Sequence, residues 1–214
     1  MTGVMVGQPR GGLLESSAMT ASRRGEESHA RIVRDAARLF RERGIAGTGV
    51  DAVMDAAGLT HGGFYAHFRN KESLVTESIA AAFAEARKNL FADEPTARGK
   101  VWERKAADRY LAKSHVAHPG HGCALPALAA EVARGGGKPQ HVFAGEVTTI
   151  LDEMAARLGG RRARERAVQL LASWVGALTL ARVMEGGASD QILEAVRRPS
   201  TKRVTKRAAA RKAR

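Results

Sequence analysis

Two short stretches of helical periodicity meet at a glycine within residues 49–68, and that meeting constrains the chain more than any other feature. Before the glycine, Val50, Val53, Met54 and Ala57 occupy the i, i+3, i+4 and i+7 positions of one helix face. After it, a second short helix is expected from Thr60, its N-cap, to about His67. Two short helices joined by a tight, glycine-bearing turn are the sequence form of a helix-turn-helix. Gly58 supplies the turn, where a positive φ is expected. Leu59 and Phe64 are placed to plug the angle between the helices.

The flanks extend the unit. A longer helix is expected over residues 28–43, with Ile32, Val33, Ala36, Leu39 and Phe40 on one face, arginines opposite, and Gly44 at its end. Thr48 stands three residues before Asp51, as in a capping pair. A fourth helix starts after Asn70, with Leu74, Val75, Ile79, Ala82 and Phe83 facing inward. In such a unit Thr60, His61, Gly62 and Tyr65 project outward from the helix that enters the major groove, where its first turn faces the base edges. The adjacent Gly62 and Gly63 cost so short a helix about 2 kcal/mol relative to alanine. That cost is reasonable where a backbone must approach DNA closely. Tyr65 offers a hydroxyl to one phosphate, and the N-terminus of the fourth helix at Lys71 offers N–H groups to another.

Residues 58–68 run Gly58, Leu59, Thr60, His61, Gly62, Gly63, Phe64, Tyr65, Ala66, His67, Phe68, followed by Lys71, Glu72, Ser73 and Leu74. This order resembles the signature of the TetR family (TetR/AcrR-like one-component repressors): a turn glycine, an apolar residue, Ser or Thr, a glycine two further on, Phe-Tyr, a second Phe, then Lys-Glu-x-Leu. The resemblance covers about 50 residues. It implies an all-α protein whose N-terminal three helices bind DNA, and whose C-terminal helical bundle dimerises and holds a pocket for a small-molecule effector. Carried over, the DNA-facing set is Thr48, Thr60, His61, Gly62, Gly63, Tyr65, His67 and Lys71, with Lys71 on a phosphate. His61 departs from the lysine that many members have there; a neutral imidazole offers less to a phosphate.

Composition agrees with a helical reading. Alanine is abundant, aromatic residues make up 5%, and prolines number six. Further helices are expected over about 98–116, 125–134, 140–158, 161–185 and 189–198, separated by glycine pairs or triplets and by a Pro-Gly loop at 118–122. The organisation is therefore a disordered extension (1–26), a DNA-binding domain (27–72), a ligand-binding and dimerisation domain (73–198) and a basic tail (199–214). Met19 is an alternative start. Arg23 and Arg24 belong to a flexible arm, with the minor groove as the less favoured role. The net charge is +13, but nine cations and no acid fall between Arg197 and Arg214, leaving +4 for the rest. Such a tail is a solvated extension or a non-specific DNA contact. No apolar run approaches the roughly 20 residues of a membrane span. No signal-peptide core stands at the start, and the single cysteine excludes an internal disulfide. A cytoplasmic location is expected.

Weaker signals lie in the second half. Trp102, Tyr110, Phe143 and Trp174 are candidates for lining an apolar pocket, each equally readable as core, and Cys123 joins them. Cys123 opens a helix and reads first as a small buried residue packing behind the pocket; a helix-opening position can also lower a thiol pKa, which makes redox or electrophile sensing the alternative. His115, His118, His121 and Cys123 are zinc-type ligands, but their spacing matches no finger and a Pro-Gly turn intervenes, so no metal is expected. A stripe of Val168, Leu171, Trp174, Val175, Leu178 and Ala181 reads on its own as core; with Ile192, Leu193 and Val196, the family resemblance implies a dimer interface there.

Three classes compete. A homodimeric, ligand-released repressor on a palindromic operator leads. A sequence-tolerant architectural protein driven by its tail, or a sensor acting through Cys123, is the alternative. An enzyme has no support: no phosphate loop, nucleophile elbow or certifiable Cys-His pair is present. No cofactor is expected.

Overall fold

The computed structural model describes residues 12–92 and 96–197, with side chains from Ser22 onward. Pro95, the tail from Pro199 and the first eleven residues lie outside the described residues. Ten α-helices and two 3₁₀ turns make up the regular structure, and no strand occurs among the described residues. In chain order the helices are α1 Gly12–Arg43, α2 Val50–Ala56, α3 Phe64–His67, α4 Lys71–Leu90, α5 Gly99–Tyr110, α6 Lys113–Ala117, α7 Ala124–Gly135, α8 Gly137–Leu158, α9 Ala163–Val183 and α10 Gly187–Arg197.

The N-terminal unit is built as its periodicity requires. Ile32, Ala36, Leu39 and Phe40 of α1 are buried with Val53, Met54, Phe64 and Phe68. Leu74, Val75, Ile79 and Phe83 give α4 the opposing face, and α1 packs along α4. The helical bundle continues through α8 and α9. Phe83 meets Phe143 edge-on at 4.9 Å, which carries the core from α4 into α8. Trp174, Leu178 and Ile150 fill the space between α8 and α9. No described helix is long and apolar enough to cross a membrane.

Three boundaries differ from the sequence expectation. Helix α1 begins at Gly12, so residues 12–26, expected to lack structure, are helical. Between Gly12 and Glu27 only Gly25 interrupts a run that includes Leu, Ala, Met, Glu and Arg, all good helix formers. Arg23 and Arg24 accordingly stand on a helix, exposed, Arg23 facing Glu27 at 3.7 Å. The helix expected over 98–116 is broken at Leu111 and Ala112. The buried Leu111 ends α5, and Ala112 turns extended (φ −68, ψ 146) before α6. The recognition segment opens as a 3₁₀ turn, His61–Gly63, before α3; two consecutive glycines give an α-turn too little support.

Candidate nucleic-acid interface and adjoining cavity

The turn of the helix-turn-helix is closed by two backbone bonds. Gly58 N–H donates to Asp55 O at 3.0 Å and Leu59 N–H to Met54 O at 2.9 Å, the crossed pair of a Schellman motif. Gly58 sits at φ +65, which glycine alone adopts without strain. Phe64 is buried and stacks on Phe68 at 5.5 Å, and Leu59 is half-buried beside them, so these side chains lock α3 against the unit as expected. Asn70 caps α4 by accepting from Ser73 N–H at 2.9 Å, and Ser73 closes the reciprocal half of the box.

Of the residues assigned to DNA, Thr60, His61, Gly62 and Tyr65 are exposed, with Tyr65 at 69%. A Cβ added at Gly62 would meet nothing within 4 Å, so packing does not demand glycine there. Gly63 is half-buried against Met54 and Thr60. His61 contacts the Asp51 carboxylate, tying the 3₁₀ turn to α2. His67 is half-buried, its ring 5.8 Å from that of His29, which itself stacks on Phe68 and meets Glu77 at 2.6 Å.

Thr48 differs. It is 1% exposed and donates its hydroxyl to Gly44 O at 2.8 Å, so it braces the end of α1. Neither does it cap α2, whose N-cap is Gly49, with no side-chain bond to the first turn. Lys71 is half-buried and donates through Nζ to Ile45 O at 2.7 Å, pinning the α1–α2 turn. An ammonium has three donors, so this bond still leaves capacity for a phosphate.

A cavity of about 570 Å³ opens between α4, α5, α6 and residues 118–123. Tyr110 and Cys123 line it; Trp102, Phe143 and Trp174 do not. Those three are core instead. Trp102 stacks on Phe91 at 5.7 Å, Phe143 meets Phe83, and Trp174 backs Tyr110 at 5.7 Å. The cavity's other side chains include Leu90, Ala112 and Arg109, whose Nη2 donates to Leu90 O at 2.7 Å. Burial pulls the Arg109 guanidinium below its ordinary value without discharging it.

His115 holds the wall together. Its Nδ1–H donates to Tyr110 O at 2.7 Å and its Nε2 accepts from Cys123 N–H at 2.9 Å. Burial, more than any charge nearby, keeps the ring below its ordinary pKa and neutral. Gly122 is necessarily glycine, because a Cβ there would lie 2.5 Å from the His115 ring.

Cys123 is the N-cap of α7, yet burial at 3% exposure pushes its thiol pKa up, outweighing the Tyr110 contact and the nearby Arg41 and Arg182 charges. Burial thus works against the lowered pKa expected of a helix-opening thiol. Among the described residues no three of His, Cys, Asp or Glu gather as a metal site. His118 donates its Nδ1–H to Ser114 O at 3.0 Å.

The residues that sequence reading missed are the connectors. Arg41, 4% exposed, donates Nε to Gly120 O at 2.8 Å, its Nη2 also reaching that oxygen and lying 2.7 Å from Glu85. Glu131 of α7 accepts from Ile45 N–H at 2.9 Å and Ala46 N–H at 2.5 Å. One signal was available: Arg41 falls four residues after the inward-facing Ala37, where helical periodicity calls for an apolar side chain.

The fold and site together define an all-helical protein with an N-terminal helix-turn-helix joined to a bundle that encloses a cavity. Residues 32–77 match the family described as bacterial regulatory proteins, tetR family. The match takes in the helix-turn-helix and the start of α4. The chain is 52% identical over 44 residues to the HTH-type transcriptional repressor KstR2 of Rhodococcus jostii, a match covering 21% of this chain and 22% of that protein. Its fold is that of a TetR transcriptional regulator from Chloroflexus aurantiacus, with TM-score 0.68, 22% identity, and 82% of this chain and 94% of the other covered. A TetR-family regulator from Streptomyces coelicolor gives TM-score 0.64 and 23% identity over 80% and 93%.

Proposed function

We propose that the protein is a homodimeric transcriptional repressor that reads a palindromic operator and leaves it when a small molecule occupies the cavity. The observation that carries this reading is the continuous linkage from cavity wall to DNA-facing turn. Residues 118–123 form the wall; Arg41 of α1 grips that segment at Gly120 O, and α7, which begins directly after it, grips the α1–α2 turn through Glu131. A displaced wall therefore pulls on the end of α1 and on the first residues of the turn that leads into α2 and the recognition segment. A ligand shifts the equilibrium only by its differential affinity for the two arrangements, and these bonds give the arrangements different energies.

In this reading Thr60, His61, Gly62 and Tyr65 face the major groove. Gly63 and His67 support that face, and Lys71 adds charge at the phosphate. The open space at Gly62 is reserved for the duplex. Dimerisation falls to a face of α9 that keeps only Val168 of its sequence stripe. Leu171, Trp174, Leu178 and Ala181 are buried within the protomer, whereas Val168, Leu180 and Val183 stand exposed on the opposite side, with Met184 just beyond. A second copy buries this apolar face and brings two recognition segments to half-sites about 34–36 Å apart, or a multiple of that. A role on chromosomal DNA assigns the protein to the cytoplasm and needs no catalytic step.

The test is fluorescence anisotropy with a palindrome drawn from the DNA flanking its own coding sequence, against a shuffled duplex of equal length. The reading requires two protomers per palindrome and at least about a thousandfold preference over the shuffled duplex. Equal affinity for both overturns it in favour of a sequence-tolerant architectural role.

A further inference from the structure

The cavity wall contains a buried donor with no oxygen or nitrogen to donate to. Tyr110 is 6% exposed and lines the cavity, and its hydroxyl has no oxygen or nitrogen partner; only the Cys123 thiol lies beside it. Burial first, and the thiol second, push the Tyr110 phenol well above its ordinary value, so it remains an O–H donor. A buried hydroxyl without a partner is costly, and an occupant that accepts from it removes the cost. The charge nearby has one sign. Arg182 packs behind Gly122, donates one Nη2 bond to His115 O at 2.9 Å, and leaves its Nε buried without a partner. Its charge acts on Tyr110 and Cys123, and among the described residues no carboxylate faces it or lines the cavity. The remainder of the lining is largely apolar, with Ala86, Leu90 and Ala112 contributing.

We infer that the cavity takes a small carboxylic acid with an apolar body, its carboxylate accepting from Tyr110 Oη in the field of Arg182 and its hydrocarbon lying against Leu90 and Ala112. The volume of about 570 Å³ suits a medium-chain or alkyl-aromatic acid, within the range of small-molecule sites. This rests on the ligand-responsive reading proposed above and assigns its effector a chemistry.

The experiment titrates the full chain with octanoate and 4-butylbenzoate, and with octanamide and 4-butylbenzamide, reading tryptophan emission, since Trp174 lies 5.7 Å from the Tyr110 ring. The carboxylates are expected to bind at least about tenfold more tightly than the amides, because hydrogen bonds to a charged acceptor are worth roughly twice those to a neutral one. Tyr110→Phe is expected to lose about tenfold or more for the carboxylates and less for the amides. Its melting temperature should be unchanged or higher, because the hydroxyl it removes has no partner to forfeit. Acid and amide binding within about twofold, or no carboxylate binding at about 1 mM, overturns the assignment and leaves the repressor reading standing. Carboxylate binding that is sensitive to Tyr110→Phe but does not release operator DNA supports the assignment and counts against ligand release.

Discussion

His115 shows how one side chain is committed on both edges. Its Nδ1–H is spent on Tyr110 O and its Nε2 on the Cys123 N–H, an arrangement only the neutral ring makes. Burial lowers its pKa below the ordinary 6.5. The unfolded chain therefore takes up a proton at this residue before the folded one does. The contribution to stability is fully present above pH 6.5 and is lost as pH falls from there toward the folded value. Urea midpoints measured between about pH 7.5 and 5.5 should fall with acidification, and His115→Gln should flatten that fall. A fall of equal slope in the variant would show that other groups carry it. Gly58 makes the complementary case. Its φ of +65 comes from the backbone demand of the Schellman turn, and a signal so local is readable from the order of residues alone.

At the scale of elements, the proposed coupling runs through the ties between α7 and the α1–α2 turn. Glu131→Ala leaves Ile45 N–H and Ala46 N–H without their carboxylate. A loss of about 1–3 kcal/mol in unfolding free energy is expected by chemical denaturation. A drop in operator affinity should accompany it even where the variant is fully folded, because the turn orients α2. Unchanged affinity in a folded variant would remove α7 from the linkage. The elements were legible where periodicity and turn chemistry act locally. Helices α2 and α4, the Gly58 turn and the exposed Thr60, His61 and Tyr65 follow from spacing. Long-range contacts were not legible. Nothing local distinguishes Trp102 and Trp174 as core from Tyr110 as cavity wall, and Glu131 finds its partners across 85 residues of chain. Thr48 misled for the same reason. A threonine before a short helix reads as a cap or a DNA contact until Gly44 O is seen to hold its hydroxyl.

For the whole molecule, the proposed dimer rests on the apolar face of α9. Val183 is 72% exposed and Leu180 50%, side by side on one helix that already buries its opposite face. Val183→Glu is expected to shift sedimentation from dimer toward monomer, since a carboxylate at the centre of an apolar contact is left without a partner. Loss of the dimer should also remove operator binding, because a single protomer contacts one half-site. The measurement that bears most directly on the whole account is footprinting of the full chain on its own flanking DNA at about 150 mM salt with excess competitor. The account predicts a short protected palindrome whose half-sites are spaced by about one helical turn or a multiple, with protection lost in Val183→Glu. Uniform weak coverage that no palindrome interrupts would contradict it.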